Sequence, residues 1–193
     1  VQVLYETIER YSNESKHFSK ELMTTWTKSA VKIAIGLGLR AGEICQLRRE
    51  DVEFDNRLLC VGNRDGFLTK SGRPRVIPLT EKMIAEIQHN LKRSDFVVSS
   101  SSGRQLSPRY LSRRFKFFSR LAGLPEHIRF HSLRHTACTN LIESGVPLEA
   151  VRIFMGHSSI RVTQRYIHYS PLAYQKDVSQ ALSRIESASS IDF

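Results

Sequence analysis

The stretch FHSLRHTACTNLIESG, Phe130 to Gly145, sets two histidines and an arginine among residues that suit a buried helix. At 3.6 residues per turn, positions three and four apart share a face. His131, Arg134 and His135 therefore crowd together, while Leu133, Ala137, Leu141 and Ile142 serve packing. Such a cluster of cationic donors suits an anion. Towards the C-terminus the pattern predicts helices over Val146 to Met155, started by Pro147, and over Ser159 to His168, capped by serines, with Gly156-His157 between them. Towards the N-terminus, Ser107 to Gly123 is an amphipathic helix with Pro108 in its first turn and Leu111, Phe115, Phe118 and Ala122 on its apolar face. Arg109, Arg113, Lys116 and Arg120 make one basic stripe along it. That stripe serves equally well as a solvated face or as a contact for a phosphate backbone.

Further out, Phe18 to Leu37 carries Leu22, Met23, Trp26, Ala30, Ile33 and Leu37 at helical spacing, and a short helix over Ala41 to Leu47 follows. Arg57 to Gly62 and Phe67 to Thr69 have strand character, and the turn Ser71 to Pro74 leads into Arg75-Val76-Ile77. These three segments are expected to pair as a small antiparallel sheet. Thr80 caps a helix to about Leu91, and DFVVSS is extended before the polar SSSGRQ loop. The fold class expected is α+β, mainly helical.

Composition agrees with an anionic partner. Twenty-nine Lys and Arg against nineteen Asp and Glu leave a net charge of +10 on 193 residues, spread from Lys28 to Arg165 and not gathered in a tail. Such a field favours nucleic acid, although it also serves solubility alone. The length suits one core and one domain. Cys45, Cys60 and Cys138 form no CxxC pair and sit among apolar neighbours, which points to reduced core thiols in a cytosolic protein and to no metal site. No apolar run is long enough to span a bilayer, so no membrane partner is expected. The start at Val1 without Met suggests a fragment whose N-terminal domain is absent.

Four blocks then carry a resemblance: GLRAGEICQL (Gly38 to Leu47), TKSGRPRVIPL (Thr69 to Leu79), HSLRH (His131 to His135) and GHSSIRVTQRY (Gly156 to Tyr166). Their order, and the nine residues from His157 to Tyr166, are similar to the signature of the tyrosine recombinases, the phage integrase family. The likeness runs from about Phe18 to Tyr174. It implies a catalytic domain over 1–174 with a small three-stranded antiparallel sheet, a tail helix over 175–193 that docks on a neighbouring subunit or on its own domain, and a core-binding domain preceding Val1.

The resemblance also implies roles. Arg40 and Arg134 match the arginines that hold the nonbridging phosphate oxygens, a task suited to a planar, permanently charged guanidinium. Tyr166 matches the nucleophile, whose phosphoester conserves bond energy for rejoining, so no cofactor is expected. Tyr169 and Tyr174 are its local competitors. His131 would assist deprotonation of Tyr166 and His157 would hydrogen-bond the phosphate; His135 is left as structural. Lys70 matches the general acid for the leaving 5′ oxygen, with Arg73 and Arg75 as alternative phosphate contacts. Glu43 matches an acidic residue that orients the site, though an exposed helix carboxylate is an equal reading.

The implied partners are double-stranded DNA, further copies of the chain in a tetrameric synapse on DNA, and accessory DNA-bending proteins. The implied setting is the nucleoid in a bacterial cytoplasm or a phage-infected host. A type IB topoisomerase or telomere resolvase is a second reading, and a regulator that binds DNA without cleaving it is a third.

Overall fold

Leu4, Thr7, Ile8 and Tyr11 recur at helical spacing, and they build a helix absent from the expectations above, α1 (Gln2–Asn13). The computed structural model describes residues 2–13, 18–62, 74–92 and 94–166, with the backbone alone for residues 13 and 18–23. Leu4 and Ile8 are fully buried, and the Tyr11 ring meets Phe117 and Phe118 edge to face at 5.6 and 5.4 Å.

The longest helix, α2 (Phe18–Leu37), spans the range expected and ends at Gly38, whose φ of 60° lies in the left-handed region that terminates helices. A short α3 (Ala41–Gln46) and a 3-10 turn (Arg49–Asp51) lead into the sheet. Its strands β1 (Val52–Glu53), β2 (Leu58–Val61) and β3 (Arg75–Pro78) pair antiparallel in chain order. Val52 faces Leu59, and Val61 faces Arg75. The expected three-stranded antiparallel sheet is present, but its first strand is Val52–Glu53, while Phe67 to Thr69 lies outside the described residues. β2 begins one residue later than expected because Arg57 takes a φ of 54° in the turn before it.

Capping sets the next helices. Thr80 Oγ1 accepts from the Met83 amide at the start of α4 (Glu81–Leu91), and Ser107 Oγ accepts from the Tyr110 amide at the start of α5 (Pro108–Leu121). After α6 (Phe130–Glu143) come α7 (Leu148–Met155), which Pro147 precedes as N-cap and which starts two residues later than the expected Val146, and α8 (Ile160–Gln164). α8 stops before the expected end at His168, so Tyr166 sits in the turn that follows it.

The chain forms two units, Val1–Ala137 and Cys138–Phe193, divided within α6. In the first, Ile33, Ala34 and Leu37 of α2, Ile44 of α3, Leu59 and Ile77 of the sheet, and Leu111, Phe115 and Phe118 of α5 are buried. In the second, Cys138, Ile142, Val151 and Met155 form the buried cluster. Cys45 and Cys138 are the expected core thiols; Cys60 is a correction, half-exposed on β2 with Sγ 3.6 Å from Glu53. Among the described residues, no helix is long and apolar enough to cross a membrane, and no cluster of His, Cys, Asp and Glu could hold a metal ion.

Candidate functional site

In the first unit the site grows from the segment that links two helices. Gly38 halts α2, and Arg40, in extended conformation, becomes the residue before α3. Its amide donates to Glu43 Oε2 at 2.8 Å, the half of a capping box that an N3 glutamate supplies. Its guanidinium donates through Nη1 to Glu43 Oε1 at 3.0 Å. Arg40 is thus held at both ends by one carboxylate three residues on, and its side chain remains 21% exposed.

Glu43 is itself buried at 3% exposure and takes a second guanidinium. Arg75 Nη1 and Nη2 donate to its Oε1 and Oε2 at 3.0 and 2.9 Å, a two-pronged ion pair from β3. Alternation explains the position: Arg75, Ile77 and Leu79 are buried while Val76 and Pro78 are exposed. Burial alone would push the Glu43 carboxyl up, but the hydrogen bonds and charges of Arg75 and Arg40 outweigh it and hold the group below the usual carboxylate range.

On α6, Arg134 follows the buried face of Phe130, Leu133 and Ala137, and is 2% exposed. Its Nη1 donates to the carbonyl of Gly38, so the loop that presents Arg40 also anchors Arg134. His131 is exposed one turn earlier, with its ring edge to face against His135 at 4.7 Å. Burial, then the charge of Arg134, lowers the pKa of His135.

In the second unit, Gly156 ends α7 with a φ of 62°, and the His157 that follows is 7% exposed. The His157 carbonyl accepts from Arg152 Nη1 at 3.0 Å, and its Nδ1 lies 3.0 Å from Thr163 Oγ1. The Thr163 carbonyl in turn accepts from the Tyr166 amide at 3.0 Å. Tyr166 packs on the cluster of Cys138, Ile142, Val151 and Met155, and its ring lies parallel to His157 within 9°, centroids 6.4 Å apart. Thr163 therefore touches the His157 ring through its hydroxyl and closes the turn that carries Tyr166 through its carbonyl.

Of the residues picked from sequence, the fold brings Arg40 and Glu43 together, ties Arg134 to the same loop, and pairs His157 with Tyr166. Lys70, Arg73 and the competitors Tyr169 and Tyr174 lie outside the described residues. On α5, Arg109 and Arg113 are exposed, whereas Lys116 and Arg120 are ion-paired with Glu126 at 3.2 and 2.6 Å. Those two cations, Arg120 first, hold the Glu126 carboxyl at about 2. Sequence reasoning missed the Arg75–Glu43 pair and Thr163. The two-residue alternation through Arg75, Ile77 and Leu79 marks Arg75 as inward-facing but does not reveal its partner; no periodicity singles out Thr163.

The chain matches the phage integrase family over residues 3–172. It is 32% identical over 158 residues to tyrosine recombinase XerA of Pyrococcus furiosus, covering 78% of this chain and 53% of that protein. It is 29% identical over 157 residues to tyrosine recombinase XerC of Proteus mirabilis, covering 77% and 49%. The chain thus spans about half the length of the curated relatives it matches. Its fold superposes on the Tn1549 transposon integrase in complex with transposon right end DNA with a TM-score of 0.72 at 22% identity, covering 94% of this chain and 63% of that one.

Proposed function

Since the chain belongs to the phage integrase family, we propose that it is the catalytic part of a site-specific DNA recombinase that cuts and rejoins DNA through a 3′-phosphotyrosyl intermediate. Tyr166 is the nucleophile: its oxygen bonds to the scissile phosphorus as the bond to the 5′ oxygen breaks. His131 accepts the phenolic proton, Lys70 protonates the departing 5′ oxygen, and attack by a 5′-hydroxyl reverses the step and frees Tyr166. Arg40 and Arg134 hold the nonbridging oxygens, where charge builds in the transition state, and His157 hydrogen-bonds the same phosphate. Glu43 keeps Arg40 in place. The covalent link conserves the phosphoester bond energy, so no cofactor enters.

The observation that carries this reading is the parallel packing of Tyr166 on His157, with Thr163 bonded to both. A protein that only binds DNA has no use for a tyrosine ring laid parallel to a buried imidazole. Duplex DNA is the substrate, Arg73, Arg109 and Arg113 are further phosphate contacts, and exchange between two sites takes several copies of the chain in a synapse, with DNA-bending proteins as helpers. The setting is the nucleoid of a bacterial or phage-infected cell. Covalent capture tests the reading. Nicked duplexes with randomised cores, incubated with the chain and then denatured, should yield a protein–DNA adduct. Tyr166→Phe should bind the same duplexes and yield none, and a normal amount of adduct from that variant would refute the assignment.

A further inference from the structure

The Glu43 carboxylate offers two oxygens with about four acceptor sites, and it receives four donors: the Arg40 amide, Arg40 Nη1, and Nη1 and Nη2 of Arg75. It is saturated. Two of those donors come from Arg75, a residue itself 7% exposed, on β3. Charge counting then separates the two arginines. A lone Glu43–Arg40 pair would sum to zero, so the carboxylate that positions Arg40 would also cancel the charge a phosphate needs. With Arg75 included the trio carries +1, and the arginine with the more exposed side chain, 21% against 4%, is Arg40.

Resting on the recombinase reading of Arg40, we propose that Arg75 is a positioning residue and not a DNA contact: it neutralises and saturates Glu43, so that Glu43 fixes Arg40 without consuming its charge. Arginine is required for this because its planar fork meets both carboxylate oxygens at once, whereas an ammonium is a single point charge.

The test compares two substrates for one site, identified from the adduct that the unmodified chain forms with randomised nicked duplexes. One has the natural scissile phosphate; the other is a methylphosphonate, in which a neutral methyl replaces a nonbridging oxygen and removes the charge a guanidinium would meet. Arg75→Met should cleave the phosphate substrate about 10–100-fold more slowly than the unmodified chain, by analogy with the loss on removing a partner that orients a metal ligand. On the methylphosphonate its rate should approach that of the unmodified chain. Arg75→Lys, which keeps charge but not the fork, should fall between. Equal deficits on both substrates would overturn the proposal and leave Arg75 a structural residue; if Arg75→Met fails to fold, the same ratio measured on Arg75→Lys decides. Adduct from the unmodified chain with equal deficits rejects the role of Arg75 alone, while no adduct at all rejects the recombinase reading and this role together.

Discussion

Glu43 concentrates the electrostatics of the first unit, because a carboxylate at 3% exposure survives as an anion only by virtue of its two arginines. Glu43→Gln leaves Arg75 buried without a counter-charge, and a loss of about 3–5 kcal/mol is expected, the cost of breaking a buried pair by removing one partner. pH gives a sharper signature. The folded pKa lies below the ordinary carboxylate range, so the unfolded chain binds more protons in the window between the two values, and stability rises with pH there. Glu43 therefore contributes fully above about pH 4.3 and loses its contribution as pH falls through the depressed value. Urea unfolding of both proteins between acidic and neutral pH should show a shallower acid slope in Glu43→Gln. Equal slopes would mean that Glu43 does not carry this ionisation. The glutamate itself was legible in LRAGE, but its second arginine was not, because Arg75 is 32 residues away and only the pairing of β2 with β3 brings it inward.

At the level of elements, the helices that define the molecule follow apolar spacing closely enough to be read in advance. α5 and α6 carry buried residues at intervals of three and four along 14 residues each. β1 has two residues, too few for any period to register, and was missed for that reason. α1 was missed although Leu4, Thr7, Ile8 and Tyr11 carry the signal. Short links matter as much as helices. Gly38 joins α2 to α3 at a φ of 60° and supplies the carbonyl that Arg134 uses. Gly38→Ala puts a Cβ into that left-handed conformation at a cost of about 1–2 kcal/mol and shifts the loop that bears Arg40. Gly123, at φ 67° with open space around it, provides the control. Both alanine variants should lose similar stability in urea titrations, but only Gly38→Ala should also cleave more slowly. Equal cleavage by the two would detach the loop geometry from the chemistry.

For the molecule as a whole, the net charge of +10 favours an anionic partner, but charge counting does not reveal which cations are already spent. Lys116 and Arg120 looked equivalent to Arg109 and Arg113 along α5, yet both meet Glu126, a residue beyond the helix whose approach depends on the turn after Gly123. Each exposed phosphate contact contributes about 0.9 to the slope of log affinity against log salt. Arg113→Ala should lower that slope by about this amount, and Arg120→Ala by less, in anisotropy titrations with duplex DNA. Equal changes would show that Glu126 releases Arg120 when DNA binds. The four blocks made the proposed catalytic set stand out together because chemistry restricts residue type and spacing at once; the contacts of Thr163 and Arg75 did not stand out because they serve geometry within the fold. The proposed function stands on a covalent bond between Tyr166 and DNA. Mass spectrometry of the tryptic peptides of a nuclease-trimmed adduct measures this directly. A nucleotide 3′-phosphate on Tyr166 is the predicted result, and the same mass on Tyr169 or Tyr174, or on no tyrosine, would contradict it.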